Sequence, residues 1–168
     1  MISLKTKKKI IYAVILSVLF IIEASPLNFF KINGITPEFI LPCIILIAMF
    51  EDEKYAAIFG LVFGLIFDMQ SKIIGFNALF FMILGYAIGL LMHALIRRNI
   101  FSVFTFILTG VLLHNLLTYL LFFAYKSNGD FSFAFASIII PKTIFSTAFG
   151  LLLYFGFNQL KLKIINKE

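Results

Sequence analysis

Apolar stretches of about 20 residues, each closed by a short cluster of charge, recur along this chain from one end to the other. About 20 apolar residues is the length at which an α-helix crosses the hydrocarbon core of a bilayer. Several segments between the charge clusters reach that length, and others fall a little short of it. Charge content points the same way: 13% of residues are charged, against roughly 25% in soluble domains, while 62% are hydrophobic and mean hydropathy is +1.07. The sequence is that of a membrane protein.

Charge breaks and turn residues predict an all-α, polytopic integral membrane bundle of about six transmembrane helices, forming one domain over residues 1–168. The expected spans are 10–30, 36–50, 55–68, 75–96, 101–123 and 141–160. Glu23 and Pro26 interrupt the first, which follows the basic run KTKKK and is read as an uncleaved helix because Pro26 follows its only small-residue site. Thr36-Pro37-Glu38 opens the second, Thr as cap and Pro in the first turn. EDEK at 51–54 is a tight polar turn, and FSFAFASIII before Pro141 is an interfacial lead-in. The second and third spans are short enough to form a tilted or shallow hairpin.

An even number of crossings places both termini on one side. With the termini cytoplasmic, ten of the fourteen Lys and Arg residues lie inside, and Lys31, Lys72, Lys126 and Lys142 lie outside, as the positive-inside rule requires. The net charge of +6 is therefore a topology signal and not a nucleic-acid surface. The loops are too short to house a soluble domain, and the single cysteine, Cys43, sits in an apolar run as a small hydrophobe.

Within these greasy spans, Gly60 and Gly64 share one helix face, Gly85 and Gly89 share another, and Asn77 lies two four-residue steps back along the second stripe. In lipid, close approach of backbones through small residues is a main source of helix attraction. The grooves are expected to accept a helix, either each other or separate neighbours, another protein among them. Asp68 continues the first stripe at the end of its helix, where a carboxylate opposes the helix dipole. It therefore needs a partner: Lys72 at i+4 as an interfacial ion pair, or other polar groups inside the bundle.

Counting about 1.5 Å per residue from the inner helix ends puts Glu23, Asp68, Asn77, His114 and Asn115 about 20 to 28 Å deep, in the outer half, with Lys142 entering at the same level. A polar cluster of Glu23, Asp68, Asn77, His114, Asn115 and Lys142 is expected there. His93 lies about 15 Å from His114 in depth, so the two cannot share a metal. No HExxH, CxxC, P-loop or GxSxG occurs, and neither a catalytic residue nor a cofactor is expected.

Gly60-Leu-Val-Phe-Gly64-Leu-Ile-Phe-Asp68, then Gly75-Phe-Asn77-Ala-Leu79 and Gly85-Tyr-Ala-Ile-Gly89, resemble the central signature of the MreD family, the integral membrane component of the bacterial rod-shape machinery. Glu23, Pro37, the turn at 51–54 and Pro141 also sit where that family would place them. The resemblance implies a non-enzymatic scaffold of the elongation complex in the bacterial inner membrane. Such a scaffold binds the bitopic protein MreC and works beside RodA and a class B penicillin-binding protein, with a fold similar to the substrate-binding components of energy-coupling-factor transporters. A vitamin-binding component of such a transporter is the alternative function. Against it, the sequence has no Trp and few outer-loop polar residues with which to surround a vitamin.

Overall fold

The computed structural model describes residues 4–25, 35–69, 75–94, 99–122 and 131–165, all of them helical apart from short connections. The order is α1 (Leu4–Ala24), α2 (Ile40–Phe50), α3 (Glu53–Asp68), α4 (Phe76–Ala94), α5 (Ile100–Phe122), a single turn α6 (Phe131–Ala134), a π-helical turn (Phe135–Ile139) and α7 (Ile140–Ile165).

The chain is built around α2. Every residue from Ile40 to Met49 is buried, and α1, α3, α4, α5 and α7 all touch this helix. A helix that is hydrophobic on all sides has no face to offer water, so it belongs where neighbours surround it. At 11 residues it is about 16 Å long, half the thickness of a hydrocarbon core. α2 is the central post of the bundle, and it leads directly into α3. Its start differs from the expected 36, because Phe39 and Ile40 donate their N–H groups to Glu23 Oε2 of α1, at 3.0 and 3.1 Å. A carboxylate from another helix thus takes the capping role expected of Thr36.

Only two residues separate α2 from α3. Glu51 is extended and ends α2, while Asp52 accepts from the N–H groups of Tyr55 and Ala56 to start α3 inside the EDEK cluster. α1 is tied to this turn by Tyr12 Oη donating to Glu51 Oε1 at 2.9 Å, and by Lys9 standing 4.4 Å from the Tyr55 ring centre.

α3 and α4 form the tightest pair. A Cβ on Gly64 would lie 2.5 Å from Ala78 Cα, and one on Gly60 would lie 2.6 Å from Phe81 O. On α4, a Cβ on Gly85 would meet Ala56 O at 3.1 Å and one on Gly89 would meet Glu53 at 2.5 Å. Pairings 64/78, 60/81, 56/85 and 53/89 run in order along one antiparallel seam. The two glycine stripes face each other.

The last α-helix begins at Ile140, one residue before the Pro141 expected to open it, and Pro141 is in its first turn. Proline lacks an N–H and its ring crowds the carbonyl four residues back. Just before it, the helix widens, Ile140 N–H reaching back to Phe135 O in the π-helical turn. The expected interfacial lead-in is therefore continuous with α7. Two stretches, Ile100–Leu121 and Ser132–Gln159, are long and apolar enough to cross a membrane. Large apolar side chains face outward along them, including Phe101, Phe133 and Leu152, as suits a surface solvated by lipid. Several residues on which the expected topology rests lie outside the described residues: Lys31, Lys72, Arg97, Arg98, Lys126 and Lys167, with the side chains of Lys5, Lys7, His93, Lys161 and Lys163.

Candidate functional site

At the end of the bundle where α1 and α3 finish and α2, α4 and α7 begin, polar side chains meet in an otherwise apolar interior. Three carboxylates organise the meeting, and each solves its burial differently.

Asp68, fully buried, closes α3. It accepts from Gly75 N at 2.9 Å, Ala78 N at 3.0 Å and Asn77 N at 3.1 Å, and from Asn77 Nδ2 at 2.7 Å. These backbone groups are the unsatisfied N–H donors that open α4. The carboxylate that opposes its own helix dipole thus sits on the positive end of the next one. Gly75 permits this, because its φ of 101° is a left-handed turn that a side chain would strain. Lys72, expected as an ion-pair partner, lies outside the described residues.

Glu38 is the hub. It is 4% exposed. Its carboxylate accepts from Lys142 Nζ of α7 at 2.6 Å and lies 3.0 and 3.1 Å from His114 Nδ1 of α5. Its backbone N–H donates to Ser146 Oγ of α7 at 2.8 Å. A buried charge of this kind is tolerable only when paired and hydrogen-bonded. His114 continues the chain, its Nε2 lying 2.8 Å from Asn77 Oδ1, and its ring packs among Phe76, Phe80 and Phe81 with centres 5.1 to 5.9 Å apart. Asp68, Asn77, His114, Glu38 and Lys142 therefore form one unbroken polar path through α3, α4, α5, the start of α2 and α7.

Of the six residues expected in the polar cluster, Asp68, Asn77, His114 and Lys142 lie on this path. Glu23 joins it through the α2 backbone at Phe39 and Ile40. Asn115 points elsewhere: one residue on from His114, it is turned toward α7, where its Nδ2 donates to Thr143 Oγ1 at 3.4 Å. Thr143 Oγ1 in turn donates to Ile139 O at 2.7 Å, inside the π-helical turn. Glu38, Ser146 and Thr143 were not anticipated. In the sequence Glu38 reads as part of the Thr36-Pro37-Glu38 helix start, yet a carboxylate between apolar stretches is the kind of residue that must find a partner.

Gly60, Gly64, Gly85 and Gly89 lie off this junction, along the α3–α4 seam, which Asp68 and Asn77 close at one end. The seam is filled by the two backbones, leaving no space between them for a further helix. No group of three or more His, Cys, Asp or Glu side chains able to hold a metal occurs among the described residues.

The family described as rod shape-determining protein MreD matches this sequence over residues 5–164. The chain belongs to the MreD family. Comparison with curated proteins and with solved structures gave no match. Membership of the MreD family makes the chain a rod shape-determining membrane protein, and both the seam and the junction lie within the matched residues.

Proposed function

We propose that the chain is a non-enzymatic scaffold of the bacterial elongation machinery. In this reading it is a multi-pass protein of the inner membrane with both termini in the cytoplasm. It binds an MreC-like bitopic protein there and helps direct lateral wall synthesis beside RodA and a class B penicillin-binding protein. The observation that carries the reading is the family match over residues 5–164. The geometry supports a scaffold in a second way, because the polar side chains of the junction spend their hydrogen bonds on joining helices to one another.

The glycine stripes then serve the partner indirectly. They hold α3 and α4 at one spacing, so that the outer face of the pair, carrying Ile58, Leu61, Val62 and Leu65 on α3 and Ile83, Tyr86 and Leu90 on α4, is presented as a fixed apolar ridge. A single transmembrane helix meeting this ridge would gain van der Waals packing and lose little conformational freedom. In a membrane crosslinking or split-reporter assay with the MreC-like partner, Gly64→Leu should abolish capture together with folding. Leu61→Asn should weaken capture while thermal stability in detergent stays near that of the parent. Normal capture by both variants, and rod shape retained on depletion of the protein, would remove the support for this assignment.

A further inference from the structure

α1 and α7 both run antiparallel to α2, and their contacts with it fix how far each reaches. At the start of α2, Glu23 of α1 accepts from Phe39 and Ile40, while Lys142 and Ser146 of α7 meet Glu38. At the other end of α2, Tyr12 of α1 donates to Glu51. There Phe50 packs on Tyr154 and Phe157 of α7, with ring centres 5.8 and 6.1 Å apart. Tyr12 and Phe157 also stack on each other, with centres 5.5 Å apart and planes 9° apart. α1 and α7 are therefore side by side where α2 stops, and neither helix stops with it. α1 reaches back to Leu4 and α7 runs on to Ile165, so residues 4–11 and 158–165 each extend about 12 Å past the α2–α3 turn. A headgroup layer is about 5 to 8 Å deep on each side of a bilayer, so both overhangs are long enough to cross one.

The two overhangs carry Lys5, Lys7, Lys8, Lys9, Lys161 and Lys163 and no acidic residue, and the lysines alternate with leucine and isoleucine toward each bundle-side end. Acidic residues occur only at their base, in the α2–α3 turn, where Glu51 faces Tyr12 and Lys8 and Glu53 lies against Gly89 of α4. We propose that the overhanging ends of α1 and α7 form a binding surface for anionic phospholipids, the lysines meeting the phosphate groups. A basic cluster next to a membrane-spanning helix attracts anionic headgroups, and lysine can lay its aliphatic stem along apolar surface while its ammonium stays at headgroup level. Continuity with the lipid-facing surface favours a phospholipid over a soluble anion. Ile10, Val14 and Val18 form an exposed apolar stripe on α1 that leads straight up to the lysines, and Phe155 is exposed on α7 just before its overhang. One molecule with a phosphate head and acyl chains matches both the lysines and the stripe below them. Lipid binding of this kind does not depend on an MreC-like partner.

The test uses the whole protein in detergent micelles, supplied with equal amounts of phosphatidylglycerol and phosphatidylcholine bearing the same acyl chains. Native mass spectrometry then counts the lipids retained. Phosphatidylglycerol should be retained about fivefold over phosphatidylcholine, the preference that a single lysine near an anionic surface supplies. Lys5→Gln, Lys7→Gln, Lys161→Gln and Lys163→Gln together should bring the ratio close to one. Thermal stability should stay that of the parent, because these positions lie beyond the packed rings of Tyr12 and Phe157. Should the fourfold variant not fold, the two α1 changes alone and the two α7 changes alone should each remove part of the preference. Equal retention of the two lipids by the parent, or a preference that the substitutions leave untouched, would overturn the proposal. Loss of the preference in a large molar excess of inorganic phosphate would also overturn it, making the surface a site for small anions. Equal retention combined with binding of polyglutamate would place an acidic polypeptide there instead.

Discussion

The seam between α3 and α4 is made of backbone against backbone, whereas the surroundings of α2 are made of side chain against side chain. Along the seam, Gly60, Gly64, Gly85 and Gly89 have given up every side-chain atom. Around α2, Ile44, Ile45, Leu46 and Ile47 are fully buried among the side chains of its neighbours. The seam therefore fails when atoms are added, and the α2 core fails when they are removed. The seam also needs a fixed end, because two smooth backbones can slide past each other, and Asp68 supplies it by bonding the first turn of α4.

Breaking that end should have the largest effect. Asp68→Ala strands three backbone N–H groups and the Asn77 amide in an apolar interior, and should cost about 4 kcal/mol of stability. Reversible unfolding in mixed micelles would measure it, and a loss below about 1 kcal/mol would mean that packing alone fixes the seam. Next comes the seam itself. Gly64→Ala places a Cβ 2.5 Å from Ala78 Cα and 2.7 Å from Ala78 N, backbone atoms that cannot rotate away. The helices must separate, at a cost of about 3 kcal/mol. The same assay should show Gly85→Ala to be milder, since its nearest contact is 3.1 Å.

The α2 core should respond in the opposite sense, and to a compensation that the seam does not allow. Ile45→Val removes a buried methyl group and should cost about 1 kcal/mol. Gly110→Ala on α5 is also unfavourable alone, because its Cβ would lie 2.8 Å from Ile45 Cδ1. Ile45→Val deletes that Cδ1, so the double variant should lose less than the two single variants added together. A double-mutant cycle reads the coupling, and strict additivity would show that this part of the core does not pack as described.

The two regions also differed in how far they could be read from sequence. Glycines four apart announce a close helix contact whatever the partner, and Gly60, Gly64, Gly85 and Gly89 did so. That they meet each other follows from the antiparallel arrangement of neighbouring helices. The role of Asp68 was only half legible, because most of its partners are main-chain N–H groups that every residue possesses and no letter in the sequence marks. The depth count brought Asp68, Asn77, His114 and Lys142 to one level but could not rank rotation about each helix axis, so Asn115 was placed with His114 although it turns toward Thr143. The central position of α2 was not legible either. An apolar run of 11 residues looks the same whether lipid or protein surrounds it, and the decision rests on five other helices. Pro141 marked the start of α7 to within one residue, whereas the π-helical turn that joins Phe131–Ala134 to it depends on backbone geometry alone.

The smallest effect sharpens the contrast, since it asks whether glycine in this protein is always there for close approach. Gly156 lies inside α7, and a Cβ built on it meets nothing within 4 Å. The same substitution that should be severe at Gly64 is therefore sterically free here, and only backbone entropy remains to act. Glycine in a helix interior is about 0.8 to 1.0 kcal/mol less favourable than alanine, so Gly156→Ala should stabilise the protein by up to that amount. A loss of stability in purified protein would mean that a neighbour occupies the space beside Gly156 and that α7 has a closer partner there than the described helices provide. Unchanged or raised stability in micelles, combined with weaker capture of the MreC-like partner in membranes, would instead place that partner against this face of α7 and away from the α3–α4 ridge.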